Sequence, residues 1–258
     1  MSKKVIDISV WQGEPDFEEV KNHVDGVIIR AGYGQHNEDK QFERNISECN
    51  RLGIPVGVYW FSYAKSPEEA KKEALYCMTL IKPYKIDLFV AYDFEYDSVK
   101  RAEQYGVAVT KKLATEMCHA FCGAVKDGGY HPANYTNRDF LFRYFDESTL
   151  QYDLWLAEWP KNPPAENAAP PVDCIMWQWG TSQIPGITGD VDTNILYKAD
   201  FLDNTPDDWA ADAVAWATGR GLIKGDENGN LMLHEPATRE QLLVFLYRLY
   251  NMLTEQEG

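Results

Sequence analysis

The chain has 258 residues, 45% of them hydrophobic and 13% aromatic, which is enough to bury a sizeable core in one domain or two and excludes a largely disordered chain. Forty acidic residues against 25 Lys and Arg give a net charge of −15, a field that repels phosphate backbones and argues against a nucleic-acid partner. No apolar run approaches the ~18 residues of a membrane span, so no membrane insertion is expected, and the segment from Met1 to Trp11 has no apolar stretch long enough for a signal peptide.

Short β-rich runs alternate with amphipathic helical runs along the first two hundred residues. Val5–Val10 reads as a strand, Asp16–Val24 as a short helix and Val27–Ala31 as an apolar strand. Lys40–Leu52 is helical, with Gly53 where a C-terminal cap belongs. Ile54–Phe61 follows as a strand rich in Val and aromatics. Ser66-Pro67-Glu68-Glu69 combines an N-cap, a first-turn proline and two acids matched to the helix dipole, and opens a helix to about Lys82. Ile86–Tyr92 is the next strand, and Tyr105–Val125 reads as one long helix stopped by Gly128-Gly129. Ala133–Thr136, Leu154–Ala157 and Cys174–Trp179 are further short strands. The alternation predicts a parallel sheet with crossover helices, closed into a barrel but left incomplete on the side where the last strands have little helix between them. The Pro-rich stretch Trp159–Pro171 has the composition of a linker, but the strand-like segments on both sides have no other sheet to join, so it reads as a long barrel loop.

A domain boundary is expected near Tyr197–Asp207, giving domains 1–200 and 201–258. Beyond it the pattern is helix, turn-rich segment, helix: Trp209–Thr218, Gly219–Asn230 and Pro236–Leu253, with Thr238 and Gln241 spaced as a capping box. About 50 residues with two helices is a marginal independent core, so this part is expected to pack against the barrel or to self-associate. The five cysteines, Cys49, Cys77, Cys118, Cys122 and Cys174, are odd in number and contain no CxxC pair, so reduced thiols and synthesis in the cytoplasm are expected.

The chemistry centres on Ala91-Tyr92-Asp93-Phe94-Glu95 at the end of an apolar strand. Side chains alternate in a strand, so Asp93 and Glu95 face the same way with Cα atoms roughly 6.6 Å apart. In a parallel barrel the reactive face is the C-terminal end of the strands. Two carboxylates there cannot both ionise without cost, and a carboxyl kept protonated is what donating a proton to a glycosidic oxygen requires. Asp7 ends the first strand, and Asp190 and Asp192 mark the last strand before the second domain; the first and last strands of a closed barrel are neighbours, so these acids converge on the same end. Aromatic residues crowd those strand ends, among them Trp11, Tyr33, Tyr59, Tyr135, Trp155 and Trp159. An acidic cleft edged with aromatic rings suits a carbohydrate, and strand alternation favours Tyr59 and Trp155 for its lining.

These stretches resemble family-25 glycoside hydrolases, the Chalaropsis-type lysozymes. The resemblance is carried by Asp7-Ile-Ser-Val-Trp-Gln-Gly13, Val27-Ile-Ile-Arg-Ala-Gly-Tyr-Gly34, Ile54-Pro-Val-Gly-Val-Tyr-Trp-Phe-Ser-Tyr63, Asp93-Phe-Glu95, Leu154-Trp-Leu-Ala157, Trp177-Gln-Trp179 and Val191-Asp-Thr-Asn194. It implies an α/β fold, a flattened, incomplete TIM-like (β/α)5β3 barrel followed by a small helical domain. It also implies cleavage of the β-1,4 bond between N-acetylmuramic acid and N-acetylglucosamine in peptidoglycan glycan strands. By position, Glu95 is the proton donor, Asp93 its partner, and Asp7 and Asp192 the other cleft carboxylates, with Asp192 preferred to Asp190 because x-Asn follows it. Tyr59, Trp155, Tyr33, Tyr135 and Gln178 are the expected substrate-binding residues. No cofactor is implied. Where the family commonly has Ile or Val, this chain has Phe94, which is expected to point away from the cleft. The outcome at the anomeric carbon stays open between a substrate-assisted route with retention and water activation with inversion. A substrate outside the membrane and no visible export signal together fit a phage or prophage endolysin, made in the cytoplasm and acting on the bacterial cell wall after release.

Asp203–Leu249 resembles a single surface-layer-homology motif, carried by Asp208-Trp-Ala210, Ala213-Val-Ala-Trp-Ala217, Gly221-Leu-Ile-Lys-Gly225, Asn228-Gly229 and Thr238-Arg-Glu240. Asp208 stands where His is usual. The resemblance implies binding to a cell-wall polymer, although ten acids against four Lys and Arg give residues 201–258 a net charge of −6, unsuited to anionic polymers. Three other readings bear on the same residues. A chitinase-like enzyme of family 18 would need an acid at position 91, which is Ala91. A metal-dependent deacetylase would need histidines at ligand spacing, and His23, His36, His119, His131 and His234 show none. An inactive wall-binding module has no need of the Asp7, Asp93, Glu95 and Asp192 set.

Overall fold

The computed structural model describes residues 2–165, 167–198, 206, 209–225, 231, 233 and 237–254. The chain divides into two compact units, residues 1–198 and 199–258. In the first, the elements follow in the order β1 (Lys3–Ile8), α1 (Phe17–Val20), β2 (Gly26–Tyr33), β3 (Asn37–Glu38), α2 (Phe42–Leu52), β4 (Val56–Phe61), α3 (Pro67–Ile81) and β5 (Val90–Asp93). They continue with α4 (Tyr96–Gln104), α5 (Lys111–Asp127), β6 (Pro132–Asn137), α6 (Arg138–Arg143), β7 (Asp153–Ala157), β8 (Met176–Gln183) and β9 (Asp190–Leu196).

Eight strands form a closed ring in the order β1-β2-β4-β5-β6-β7-β8-β9, and β3 is an antiparallel appendage on β2. All ring pairings are parallel except the two made by β9, which runs antiparallel to both β8 and β1. Helices follow β1, β2 with its appendage, β4, β5 and β6; among the described residues β7, β8 and β9 succeed one another without an α-helix. This is the expected (β/α)5β3 barrel. The strand ring itself is continuous.

Local signals set most boundaries. The Ser66 side chain caps α3 by accepting from Glu69 N at 3.2 Å, with Pro67 at the first helical position. Gly53 ends α2 in the left-handed conformation at φ 69°. The long helix expected over Tyr105–Val125 is instead the end of α4, a turn and α5. Gly106 takes φ 76°, which closes α4, and Thr110 caps α5 by accepting from Leu113 N at 3.1 Å. The fifth strand starts at Val90 rather than Ile86, because the Asp87 and Leu88 N–H groups both turn onto Val56 O and leave the regular ladder. The Pro-rich stretch connects β7 to β8.

The core lies between the sheet and its helices, where Val58, Trp60 and Tyr92 pack with Ile46, Met117 and Phe121, all buried. Phe94 joins it, stacked on Tyr92 with ring centroids 6.0 Å apart. One carboxyl is buried in this layer: Glu73 of α3 accepts from Ser62 Oγ at 2.6 Å, Gln35 Nε2 at 3.0 Å and Tyr63 N at 3.2 Å. Burial raises its pKa to about 7, against the pull of those hydrogen bonds. All five cysteines are free and buried.

In the second unit, α7 (Ala211–Gly219) and α8 (Arg239–Thr254) are described. The Thr238–Gln241 capping box forms as expected: Gln241 N donates to Thr238 Oγ1 at 3.1 Å and Thr238 N to Gln241 Oε1 at 2.8 Å. The readings at Asp208, Asn228 and Gly229 lie outside the described residues. Among the described residues no helix is long and apolar enough to cross a membrane.

Candidate active site

An open pocket of about 620 Å³, including its mouth, lies at the C-terminal ends of the parallel strands. Its floor is built by register. Phe61, Asp93, Tyr135 and Trp155 are successive partners across β4, β5, β6 and β7, so their side chains share one face, and all four line the pocket. Because β9 runs antiparallel, its N-terminal part meets the C-terminal end of β1, and Asp192 stands directly opposite Asp7. Glu95, two residues past Asp93, is the N-cap of α4 in extended conformation, and its N–H donates to Ser98 Oγ at 3.1 Å. All four sequence-predicted carboxylates therefore line one pocket, whereas Asp190 does not.

Two side-chain amides hold Asp7. Asp7 Oδ2 accepts from Asn194 Nδ2 at 2.8 Å and from Gln178 Nε2 at 3.1 Å. Gln178 Oε1 in turn accepts from Tyr135 OH at 3.0 Å and Trp159 Nε1 at 3.3 Å. Asn194 Oδ1 accepts from Trp155 Nε1 at 2.8 Å. These bonds fix which edge of each amide faces Asp7. They do not outweigh desolvation. Burial, then the neighbouring Asp192, raises Asp7 to about 7 despite both amide hydrogen bonds. Asp93 is pushed well above the usual carboxylate range by burial, then by Glu95 and Asp7, and its Oδ1 is buried without a hydrogen-bond partner. Burial, then Asp97, also raises Glu95, and burial raises Asp192. The pocket thus gathers carboxyls that hold protons more tightly than free acids do, with an aromatic wall beside them. This suits proton transfer to or from an uncharged substrate.

The predicted aromatic residues divide. Tyr59 and Tyr135 line the pocket half-buried. Trp155 lines it too but is only 1% exposed, wedged among Tyr135, Phe89 and Tyr59 with centroids at 4.5, 5.8 and 6.1 Å, so it supports the wall and offers little open face. Tyr33 is not among the lining residues: although it pairs with Phe61 across β2 and β4, its ring lies against Tyr63 and the Arg30 guanidinium. Trp11, 82% exposed, is the open indole at the mouth, on a turn in which Trp11 N donates to Ser9 Oγ. Asn194, Arg30 and Gln12 complete the site and were present in the family-like stretches, but without an acid or a ring to single them out. Among the described residues no group of three or more His, Cys, Asp or Glu side chains is placed to hold a metal ion.

Comparison with known proteins agrees with this geometry. The model of the Glycosyl hydrolases family 25 matches residues 6–187, and that of the S-layer homology domain matches residues 201–243. The modular autolysin LytC from Streptococcus pneumoniae, solved in complex with a synthetic peptidoglycan ligand, is similar at 30% identity and a TM-score of 0.63 over 76% of this chain. This chain spans about half of LytC, 47% of its length. The CTP1L endolysin shares the fold at 19% identity and a TM-score of 0.65, covering 96% of this chain and 99% of its own. The bacterial lysozyme from Streptomyces coelicolor does so at 19% identity and a TM-score of 0.61, covering 79% and 98%. No curated protein matches. With the greater part of its length matched by that family's model and its acids gathered in one barrel pocket, the chain belongs to the glycosyl hydrolases of family 25.

Proposed function

We propose that this glycoside hydrolase is a lysozyme, an N-acetylmuramidase that cuts the β-1,4 bond between N-acetylmuramic acid and N-acetylglucosamine in peptidoglycan. The reading rests on the carboxyl pair Asp93 and Glu95, both with raised proton affinity, in a pocket that Asp7 and Asp192 also line. Glu95, half-buried and nearer the opening than the buried Asp93, donates its proton to the leaving oxygen. Asp93 orients the substrate's N-acetyl group for attack on the anomeric carbon, which gives net retention. Asp7 and Asp192 face the sugar from the opposite wall, with Tyr59, Tyr135 and Gln178 positioning it. The peptidoglycan ligand of LytC supports the choice of glycan, and the likeness to endolysins supports a role in wall lysis on release from a cell. The C-terminal domain, residues 201–258, holds the enzyme to a cell-wall polymer, a role its match to the S-layer homology domain supports.

Mass spectrometry of digested peptidoglycan tests the bond: new muramic-acid reducing ends are expected, and glucosamine reducing ends would exclude a muramidase. Proton NMR of the first-formed product tests the route, with the β anomer expected and an α anomer assigning inversion by an activated water.

A further inference from the structure

Among the described residues that line the pocket, Arg30 alone is basic. Its guanidinium is fixed from behind: Nε donates to Asp39 Oδ2 at 2.7 Å, and Nη2 stands 2.7 Å from the same oxygen in an ion pair. Asp39 lies outside the pocket lining, and its side chain is 1% exposed. The same Oδ2 accepts from Val10 N at 3.0 Å, and Oδ1 accepts from Gln41 N at 2.9 Å. One carboxylate thus joins β2, the Trp11 turn after β1 and the entry to α2. A buried ion pair is weak support for stability alone, since desolvation offsets much of its attraction, so its place beside the acids asks for another explanation.

The groups around Arg30 supply it. Sharing the pocket with its guanidinium are Asp7 of β1, Asp93 and Glu95 at the end of β5, Asp192 of β9, and the phenols of Tyr59 and Tyr135, while the Tyr33 ring lies 5.7 Å away. A fixed positive charge favours the ionised form of every acid near it. For Asp93 it is the opposing influence to burial and to the neighbouring carboxylates.

We propose that Asp39 is a positioning residue for the hydrolysis: by pinning Arg30 it keeps a positive charge on the wall of the acidic pocket, and so sets the pH range in which one carboxyl stays protonated while its neighbours ionise. The inference rests on the glycosidase reading of the pocket.

The variant Arg30→Gln with Asp39→Asn tests it, because it removes both charges, leaves the net charge unchanged and keeps an amide pair able to hydrogen-bond. Both limbs of its kcat/KM profile against pH are expected to move up by about half a pH unit or more relative to wild type. Arg30→Lys keeps the charge and is expected to keep the wild-type limbs. Wild-type limbs in the double variant would overturn the proposal, and so would an alkaline shift in Arg30→Lys; the latter also decides if the double variant does not fold. A second readout needs no turnover. Between pH 5 and 8 the Tm of the full-length double variant is expected to fall more steeply than that of wild type, because ionising acids lose their compensating charge. Equal slopes would overturn the proposal, whereas an inactive wild type would count against the muramidase reading alone.

Discussion

Asp7 and Asp192 stand opposite one another in register, and Asp93 and Glu95 complete the same acidic pocket. Four carboxyls so placed cannot all ionise near neutrality, and burial is the first cause of the rise in each. That gives Glu95 its chemistry. Glu95→Gln keeps the shape and removes the proton, so lysis of cell walls is expected to fall by about 100-fold or more with an unchanged near-UV CD spectrum. Near-wild-type lysis would take the acid role from Glu95. At this scale the sequence was informative about charged groups, because Asp-x-Glu at a strand end fixes facing by alternation. It named Gln178 for the substrate but not the bonds that the amides make. Nothing local to Gln178 or Asn194 announces that each donates to Asp7, from 171 and 187 residues away in the chain.

Secondary-structure elements obey nearer rules. The Ser66 cap is a local interaction, and Ser66→Ala is expected to lower stability by about 1 kcal/mol in urea unfolding with little effect on turnover. Gly32 carries a different constraint. A Cβ there would stand 2.2 Å from Asn37 O and 2.5 Å from the Trp60 ring, so Gly32→Ala is expected to cost about 1–3 kcal/mol or more by the same measurement. The cap, the Gly53 terminus and the Thr238 box were legible because their partners lie within four residues. The split of one expected helix into α4 and α5 rests on signals just as local, Gly106 in the left-handed conformation with Val107 N turned back to Ala102 O and Thr110 capping α5, which the helical pattern on both sides outweighed in the sequence reading. Strand alternation favoured Trp155 as a sugar-facing ring, but packing buried it, and the Tyr33 ring went to Tyr63 and Arg30 instead of the pocket lining.

For the whole molecule, buried acids make stability depend on pH. Asp7 and Glu73 both rise to about 7 on folding. A raised folded-state value means stability that is complete below about pH 4 and is lost as pH climbs through the folded value. The Tm is therefore expected to fall by several degrees between pH 5 and 8, with Glu73→Gln flattening part of the slope. A Tm that rises over that range would contradict the burial of these groups in protonated form. Deleting residues 203–258 is expected to leave cleavage of soluble glycan intact and to reduce the fraction of protein that sediments with cell walls; unchanged sedimentation would end the targeting role. The sequence by itself determined the alternation of strand and helix, the caps, and the pairing of Asp93 with Glu95 on one side, because these depend on bond geometry and on neighbours a few residues away. Only the tertiary structure decided that Asp192 meets Asp7, that two distant amides hold that carboxylate, and that Asp39 ties down Arg30. The contacts at Asp7 exist because the strand ring closes through an antiparallel ninth strand, and closure is a property of all its strands together.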